Sequence, residues 1–171
     1  MEKLSHYDEA GEARMVDVSA KAATRRQAEA SAFVAMSARA LAALPHNPKG
    51  NPLEVARIAG IQAAKRTADL IPMCHPLLVG AVHVNFNIGD DYVEVEAQVE
   101  TVDRTGVEME ALTACSIAAL TVYDMCKSVD RGMTIMQIQL EEKAGGRRGV
   151  FKRPEESPVP AAPDPGRAPW E

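Results

Sequence analysis

The sequence contains few aromatic residues and few cysteines. Phe, Trp and Tyr make up 4% of its 171 residues, so Ala, Val, Ile, Leu and Met must fill the core, a composition that suits close helix packing and subunit contacts. The three cysteines, Cys74, Cys115 and Cys126, are odd in number, and two of them lie in apolar sequence typical of helices. We therefore predict free thiols in a reducing compartment rather than a disulfide framework.

Long apolar runs and an excess of positive charge are also missing. No run approaches the roughly 20 apolar residues that span a bilayer, and the first residues are polar and acidic, unlike a signal peptide. With 19 basic and 24 acidic residues, the net charge of −5 provides no general attraction to nucleic acid or anionic lipid. We predict a cytoplasmic protein with no nucleic-acid or membrane partner, in which a local basic cluster must bind any anionic ligand.

The length and composition indicate one globular domain. Hydrophobic residues make up 46% of the chain and charged residues 25%, close to the average for soluble domains. Six of the eleven prolines lie between Pro154 and Pro169, in sequence with neither helical nor strand periodicity. We predict a domain over residues 1–151, loosely ordered at 1–14, followed by a proline-rich disordered tail over 152–171.

Periodicity and turn signals predict an α+β fold. The predicted order is a strand over 27–36, a short helix over 38–44, a helix from the Asn51 cap to before Pro72, a hairpin of 82–88 and 93–99, a long helix over 107–129, and a strand over 136–140. This order matches the ferredoxin-like split βαβ pattern, an antiparallel sheet with helices on one face.

Two short segments present isolated polar side chains. Lys49 lies between Pro48 and Gly50, where it is either a ligand-binding cation or a solvated loop lysine. His75 lies in an apolar segment stiffened by two prolines, which predicts a partly buried ring that either satisfies the core or contacts a ligand. The sequence around Cys74 and His75 has no second Cys/His pair at zinc spacing, so we expect neither a metal nor a cofactor.

The long helix carries charged residues near both ends. Asp124 and Lys127 share a face, and their apolar neighbours predict partial burial, in which they act as an acid/base pair; a surface salt bridge is the alternative. Glu108 and Glu110 begin the helix, where capping is their alternative role. Because 14 residues of helix span about 21 Å, Glu110 and Asp124 serve either opposite ends of a long ligand or, as we prefer, a site shared between two subunits.

A basic segment follows the last predicted strand. Lys143 and Gly145-Gly-Arg-Arg-Gly combine three cations with glycine backbone amides. Such a segment is either a phosphate cradle or a solvated basic loop.

Several longer motifs carry a more specific signal. They are Met15-Val-Asp-Val-Ser, Ala56-Arg-Ile-Ala-Gly-Ile-Gln-Ala-Ala-Lys-Arg-Thr, Leu70-Ile-Pro-Met-Cys-His-Pro-Leu, Thr105-Gly-Val-Glu-Met-Glu-Ala-Leu-Thr and Tyr123-Asp-Met-Cys-Lys. In this order they resemble the MoaC family, the cyclic pyranopterin monophosphate synthases of molybdenum cofactor biosynthesis. The resemblance covers residues 5–151.

The resemblance implies an activity, an assembly and a set of site residues. The activity is a lyase reaction that converts 3′,8-cyclo-7,8-dihydro-GTP into cyclic pyranopterin monophosphate and diphosphate. The assembly is a homohexamer, a trimer of dimers with active sites at the dimer interfaces. The implied catalytic residues are Asp124, Lys127 and Lys49, and the implied substrate contacts and site positions are Met73, Cys74, His75, Glu108, Met109, Glu110, Lys65, Lys143 and Arg26.

The residue types suit this chemistry. Rebuilding a guanine-derived ring as a pterin requires proton transfers, for which Asp124 and Lys127 are suited. Glu108 and Glu110 can accept hydrogen bonds from the guanine edge, and Lys143, Arg147 and Arg26 can hold the phosphates.

The sequence departs from the family pattern at two places. Asn51 stands where the family commonly has aspartate, and Arg147-Arg148 stands where it often has Lys and Ser, which changes the geometry of phosphate contacts.

Two other functions predict other features. A non-catalytic ligand-sensing module of the same fold would bind without turnover, and an RNA-binding domain would need aromatic residues and basic charge on its sheet. In the predicted strands, apolar residues instead alternate with polar and acidic ones.

Overall fold

The computed structural model describes residues 6–154. Its elements are β1 (Thr24–Ala35), α1 (Ala38–Ala43) with a 3₁₀ turn at Leu44–His46, α2 (Pro52–Lys65), α3 (Thr67–Leu70), β2 (Val79–Ile88), β3 (Tyr92–Asp103), α4 (Glu108–Cys126), β4 (Thr134–Ala144) and β5 (Phe151–Lys152).

The described strands form one antiparallel sheet in the order β2-β3-β1-β4-β5. Helices α2 and α4 pack together on one face of this sheet. The predicted α+β class, with an antiparallel sheet and helices on one face, is confirmed. Strand β5 was not predicted: Phe151 and Lys152 pair with Lys143 and Glu142. Residues 1–5, and residues 155–171 of the predicted tail, lie outside the described residues.

Small side chains allow the helices to approach the sheet and each other closely. Ala111, Ala114 and Ala118 on α4 are fully buried. A Cβ atom added to Gly60 of α2 would lie 3.1 Å from the carbonyl oxygen of Ala114. Close packing of this kind contributes dispersion energy without large aromatic side chains, which explains how a chain with so few aromatic residues fills its core.

Helix α4 forms the centre of the core. By length and composition alone it is long and apolar enough to cross a membrane, and 56% of its most apolar 18-residue window is buried. The buried side chains pack against α2 and the sheet, which is typical of a core helix. Glu108 and Glu110 lie in the first turn of this helix, and Asp124 and Lys127 lie at its other end.

The element boundaries differ modestly from the predicted ones. The hairpin turn at residues 89–91 is confirmed. The helix predicted to reach Pro72 is interrupted at Arg66, whose backbone (φ −116°, ψ 15°) ends α2 before α3 begins. Helix α4 begins and ends slightly inside its predicted bounds, with Lys127 as its C-cap.

The start of α2 confirms the predicted cap and supports a first prediction. The Asn51 Oδ1 atom accepts hydrogen bonds from the N–H groups of Leu53 (3.1 Å) and Glu54 (3.3 Å), and Pro52 follows at the first helical position. We expect Asn51→Ala to lower the free energy of unfolding by about 1 kcal/mol because two N–H groups lose their acceptor. Asn51→Asp retains an acceptor and adds a negative charge beside the helix N-terminus, so it should be at least as stable as the parent. Urea unfolding of the three proteins measures this, and equal midpoints for Asn51→Ala and the parent would contradict it.

Candidate active site

A cleft of about 630 Å³ lies where the start of α4 meets the segment before β2, a size suited to a nucleotide-sized ligand. Its walls come from five parts of the chain: the N-terminal segment, β1, residues 73–77, residues 105–110, and the end of β4 with the loop that follows it. Nine of the predicted site residues line it, namely Arg26, Met73, Cys74, His75, Glu108, Met109, Glu110, Lys143 and Arg147.

A smaller cavity of about 90 Å³ adjoins this cleft. Lys65 lines it, and His75 and Glu110 line both spaces. Leu77 also lines both spaces, so the predicted contact Lys65 is separated from the main cleft by a common wall of His75, Leu77 and Glu110.

Glu110 is a buried carboxyl group at this wall. Only 4% of the residue is exposed. Burial is the main cause that raises the pKa of Glu110 from its ordinary 4.5 to about 7; a hydrogen bond from its own backbone N–H opposes the rise, and the charge of Glu108 adds to it. A group with this pKa exchanges protons readily near neutral pH. Glu110 thus lines the cleft and also lies in the first turn of α4.

His75 is hydrogen-bonded to the N-terminal segment. Its Nε2 atom lies 2.7 Å from the carbonyl oxygen of Val16, and the ring is partly buried, as predicted. Because a carbonyl oxygen only accepts hydrogen bonds, Nε2 is the donor in this contact. His75 thus has a backbone partner while it also faces the cleft.

The cleft is rich in cations. Arg26 donates from Nε to the carbonyl oxygen of Asp103 (3.0 Å) and from Nη2 to that of Arg104 (3.3 Å), which fixes its guanidinium group. The Lys143 Nζ atom lies 3.8 Å from Glu108 Oε1. Arg147, from the predicted basic segment, lines the same cleft. A cluster of cationic side chains attracts phosphate groups.

Asp124, Lys127 and Lys49 form a second cluster at the other end of α4. The Lys127 Nζ atom lies 2.8 Å from Asp124 Oδ1, and Lys49 Nζ donates to the Asp124 carbonyl oxygen at 3.4 Å. The hydrogen bond from Lys127, followed by its charge and by the weaker effect of Lys49, lowers the pKa of Asp124 below its ordinary value. Asp124 is therefore a carboxylate at neutral pH.

The predicted partial burial of this pair is wrong for the single chain. The side chains of Asp124 and Lys127 are 61% and 50% exposed. Their apolar neighbours Val122, Met125 and Cys126 are buried on the opposite face of the helix. The pair therefore points away from the core.

The two clusters do not meet within one chain. Glu110 lies in the first turn of α4 and Asp124 in the last, and none of Asp124, Lys127 and Lys49 lines the cleft. The sequence-based argument that one helix cannot bring both ends to one atom agrees with this placement.

Several residues that line the cleft were not predicted: His6, Val16, Val18 and Lys21. The motif Met15-Val-Asp-Val-Ser contained a signal for two of them, because Val16 and Val18 alternate with exposed residues, as in a segment with one face covered. His6 and Lys21 lie in sequence with no distinguishing pattern.

The three cysteines are free, as predicted. Cys74 is partly exposed at the cleft, where burial and, second, the charge of Glu110 raise the pKa of its thiol. Cys115 and Cys126 are buried. Over residues 6–154, no group of three or more His, Cys, Asp or Glu side chains is arranged to hold a metal ion.

Comparison with known proteins gives consistent matches over most of the chain. The model of the MoaC family matches residues 15–146. A cyclic pyranopterin monophosphate synthase from Streptomyces avermitilis is 56% identical, covering 89% of this chain and 91% of its own. The enzyme of that name from Thermomicrobium roseum is 57% identical (90% and 95%), and cyclic pyranopterin monophosphate synthase 3 from Mycobacterium tuberculosis is 58% identical (88% and 86%).

Proposed function

Because the chain belongs to the MoaC family, we propose that it acts as a cyclic pyranopterin monophosphate synthase, a lyase of molybdenum cofactor biosynthesis. The reaction converts 3′,8-cyclo-7,8-dihydro-GTP into cyclic pyranopterin monophosphate and diphosphate. The three relatives described above all carry the name of this enzyme, so the comparisons give no support to a non-catalytic sensing module.

The observation that carries the proposed site is the polarity of the cleft. A buried acid, Glu110, lines the same cleft as three cationic side chains, Arg26, Lys143 and Arg147. A guanine-derived ring offers N–H donors to a carboxyl group, whereas a triphosphate requires cations along its length and on the leaving diphosphate. The substrate therefore lies with its ring toward Glu110 and its phosphates toward the cations.

The Asp124 cluster supplies further proton transfer. Asp124 is ionised at neutral pH and can accept a proton, while the Lys127 ammonium group, 2.8 Å away, can donate one. Lys49 places a second ammonium group beside this pair and stabilises negative charge that develops there. These three residues are the proposed catalytic group.

The complete site is composite in this proposal. The cleft of one chain receives Asp124, Lys127 and Lys49 from a second copy, in a homohexamer built as a trimer of dimers. Two features support this arrangement: the cluster is exposed in the single chain, and it lies at the opposite end of α4 from the cleft. In the assembly, the second copy would exclude water from the pair and strengthen its electrostatic effect. The free thiols support the cytoplasm as the location.

Diphosphate release from 3′,8-cyclo-7,8-dihydro-GTP, with the pterin product followed in parallel, tests the proposed function. We expect turnover by the parent and a loss of about a hundredfold or more in Asp124→Asn and Lys49→Ala, because each removes a proton-transfer or electrostatic group. Circular dichroism and light scattering would verify that the variants fold and assemble. Tight binding of the substrate by the parent without diphosphate release would contradict the enzyme and favour a sensing module.

A further inference from the structure

Two glycines at the end of β4 lie directly against the arginines of β1. Gly145 (φ +93°) approaches the Arg25 carbonyl group, and Gly146 (φ +75°) approaches the guanidinium group of Arg26. A Cβ atom at either position would lie well inside the 3.0 Å that real Cβ atoms keep from other heavy atoms. At Gly146 the atom it would meet is Nη1 of Arg26.

The guanidinium group of Arg26 is hydrogen-bonded on one side and borders Gly146 on another. The carbonyl oxygens of Asp103 and Arg104 accept hydrogen bonds from Nε and Nη2, and Nη1 occupies the space into which a side chain at Gly146 would project. Arg26 and Gly146 both line the cleft. Donors that are not used by the two carbonyls remain available to a ligand, in an orientation that the surrounding backbone fixes.

We propose that Gly146 is a positioning residue for Arg26. Because it has no side chain, it leaves free the space in which the guanidinium group is oriented toward the phosphates of the substrate, whereas a side chain there would displace the group. This inference rests on the proposed function, in which Arg26 contacts the triphosphate. Fixing the planar fork before binding reduces the entropy lost when it forms hydrogen bonds with phosphate oxygens.

Gly149 provides a matched control within the same loop. It also has a positive φ, +64°, but a Cβ atom there would meet nothing within 4 Å. Alanine at either position is strained by the backbone conformation. Alanine at Gly146 alone would collide with Arg26.

The experiment compares steady-state kinetics of diphosphate release in Gly146→Ala, Gly149→Ala, Arg26→Ala and the double variant Gly146→Ala/Arg26→Ala. We expect Gly149→Ala to stay within about twofold of the parent, and Gly146→Ala and Arg26→Ala each to raise KM about tenfold with a smaller change in kcat. In the Arg26→Ala background, Gly146→Ala should add less than about twofold, because no guanidinium group remains to be displaced. Thermal unfolding would show that all variants are folded.

The outcomes separate the inference from the proposed function. An equal rise in KM in Gly146→Ala and Gly149→Ala would overturn the positioning role, as would additive effects of the two substitutions in the double variant. In either case, a raised KM in Arg26→Ala relative to the parent would still support the phosphate contact. Parental kinetics in Arg26→Ala would overturn that contact and the positioning role together. A parent without turnover would contradict the proposed function itself.

Discussion

Glu110→Gln is expected to lose about a hundredfold or more of kcat and yet to be more stable than the parent at alkaline pH. Glutamine keeps the size of the side chain and can accept a hydrogen bond, but it cannot release or take up a proton. Because the pKa of Glu110 is about 7, the parent group can serve as an acid or a base at neutral pH, a role typically worth a hundredfold or more in rate. Single-turnover and steady-state assays would measure the loss.

The gain in stability follows from the direction of the pKa shift. Burial raises the pKa of Glu110 to about 7 in the folded chain, above its ordinary 4.5, so the folded state holds more protons than the unfolded state between these values. The parent is therefore most favoured at acidic pH, and it loses stability as pH rises through this window to about 7. Glutamine lacks this titration, so its advantage over the parent should grow by about 3 kcal/mol between pH 4 and pH 8.

Urea unfolding at both pH values, at one chain concentration, would measure this difference. Glu54→Gln is a suitable control, since the Glu54 side chain is 56% exposed on α2 and has no comparable burial. An advantage of Glu110→Gln over the parent that is the same at both pH values would contradict a buried, protonated carboxyl group in the folded chain.

Glu110→Gln and Asp124→Asn, each nearly inactive alone, are expected to recover activity when they assemble together. If a cleft takes its Asp124 cluster from a second copy, an Asp124→Asn chain still offers an intact cleft, and a Glu110→Gln chain still offers an intact cluster. Random pairing then completes about a quarter of the sites. Co-expression with two different affinity tags would isolate the mixed assemblies for the diphosphate assay.

The matched control combines Asp124→Asn with Lys49→Ala. Both substitutions damage the same cluster, whose Lys49 Nζ and Asp124 carbonyl oxygen lie 3.4 Å apart, so no pairing restores a complete site. Recovery in the first mixture alone supports the composite site. Failure of both mixtures, with mixed assemblies verified, would show that each chain builds its site alone.

Local sequence patterns predicted the parts of the fold that local interactions determine. The hairpin follows from alternating apolar residues around residues 89–91, and the α2 cap follows from Asn51 with Pro52. The resemblance to a known family added Arg26, Met73 and Met109 to the cleft residues that were already singled out from the sequence, such as Glu110. The separation of Glu110 from Asp124 followed from helix geometry alone.

Contacts between distant parts of the chain could not be predicted in this way. The His75 ring and the Val16 carbonyl group are 59 positions apart, and Arg26 and Asp103 are 77 apart. No periodicity records such pairs, because they exist only after the sheet and helices have assembled. The exposure of Asp124 was missed for a related reason: apolar neighbours in sequence lie on the opposite helix face, so they do not bury it.

The distribution of the three thiols gives the protein a chemical reporter of its own. Cys115 and Cys126 are buried, whereas Cys74 lines the cleft. A molecule bound in the cleft covers the sulfur of Cys74 and leaves the other two in their core environment. Because the pKa of Cys74 is raised, alkylation is carried out above neutral pH, where more of the thiol is ionised. The mass of the labelled chain then measures how much of the cleft is occupied, with no substitution in the sequence.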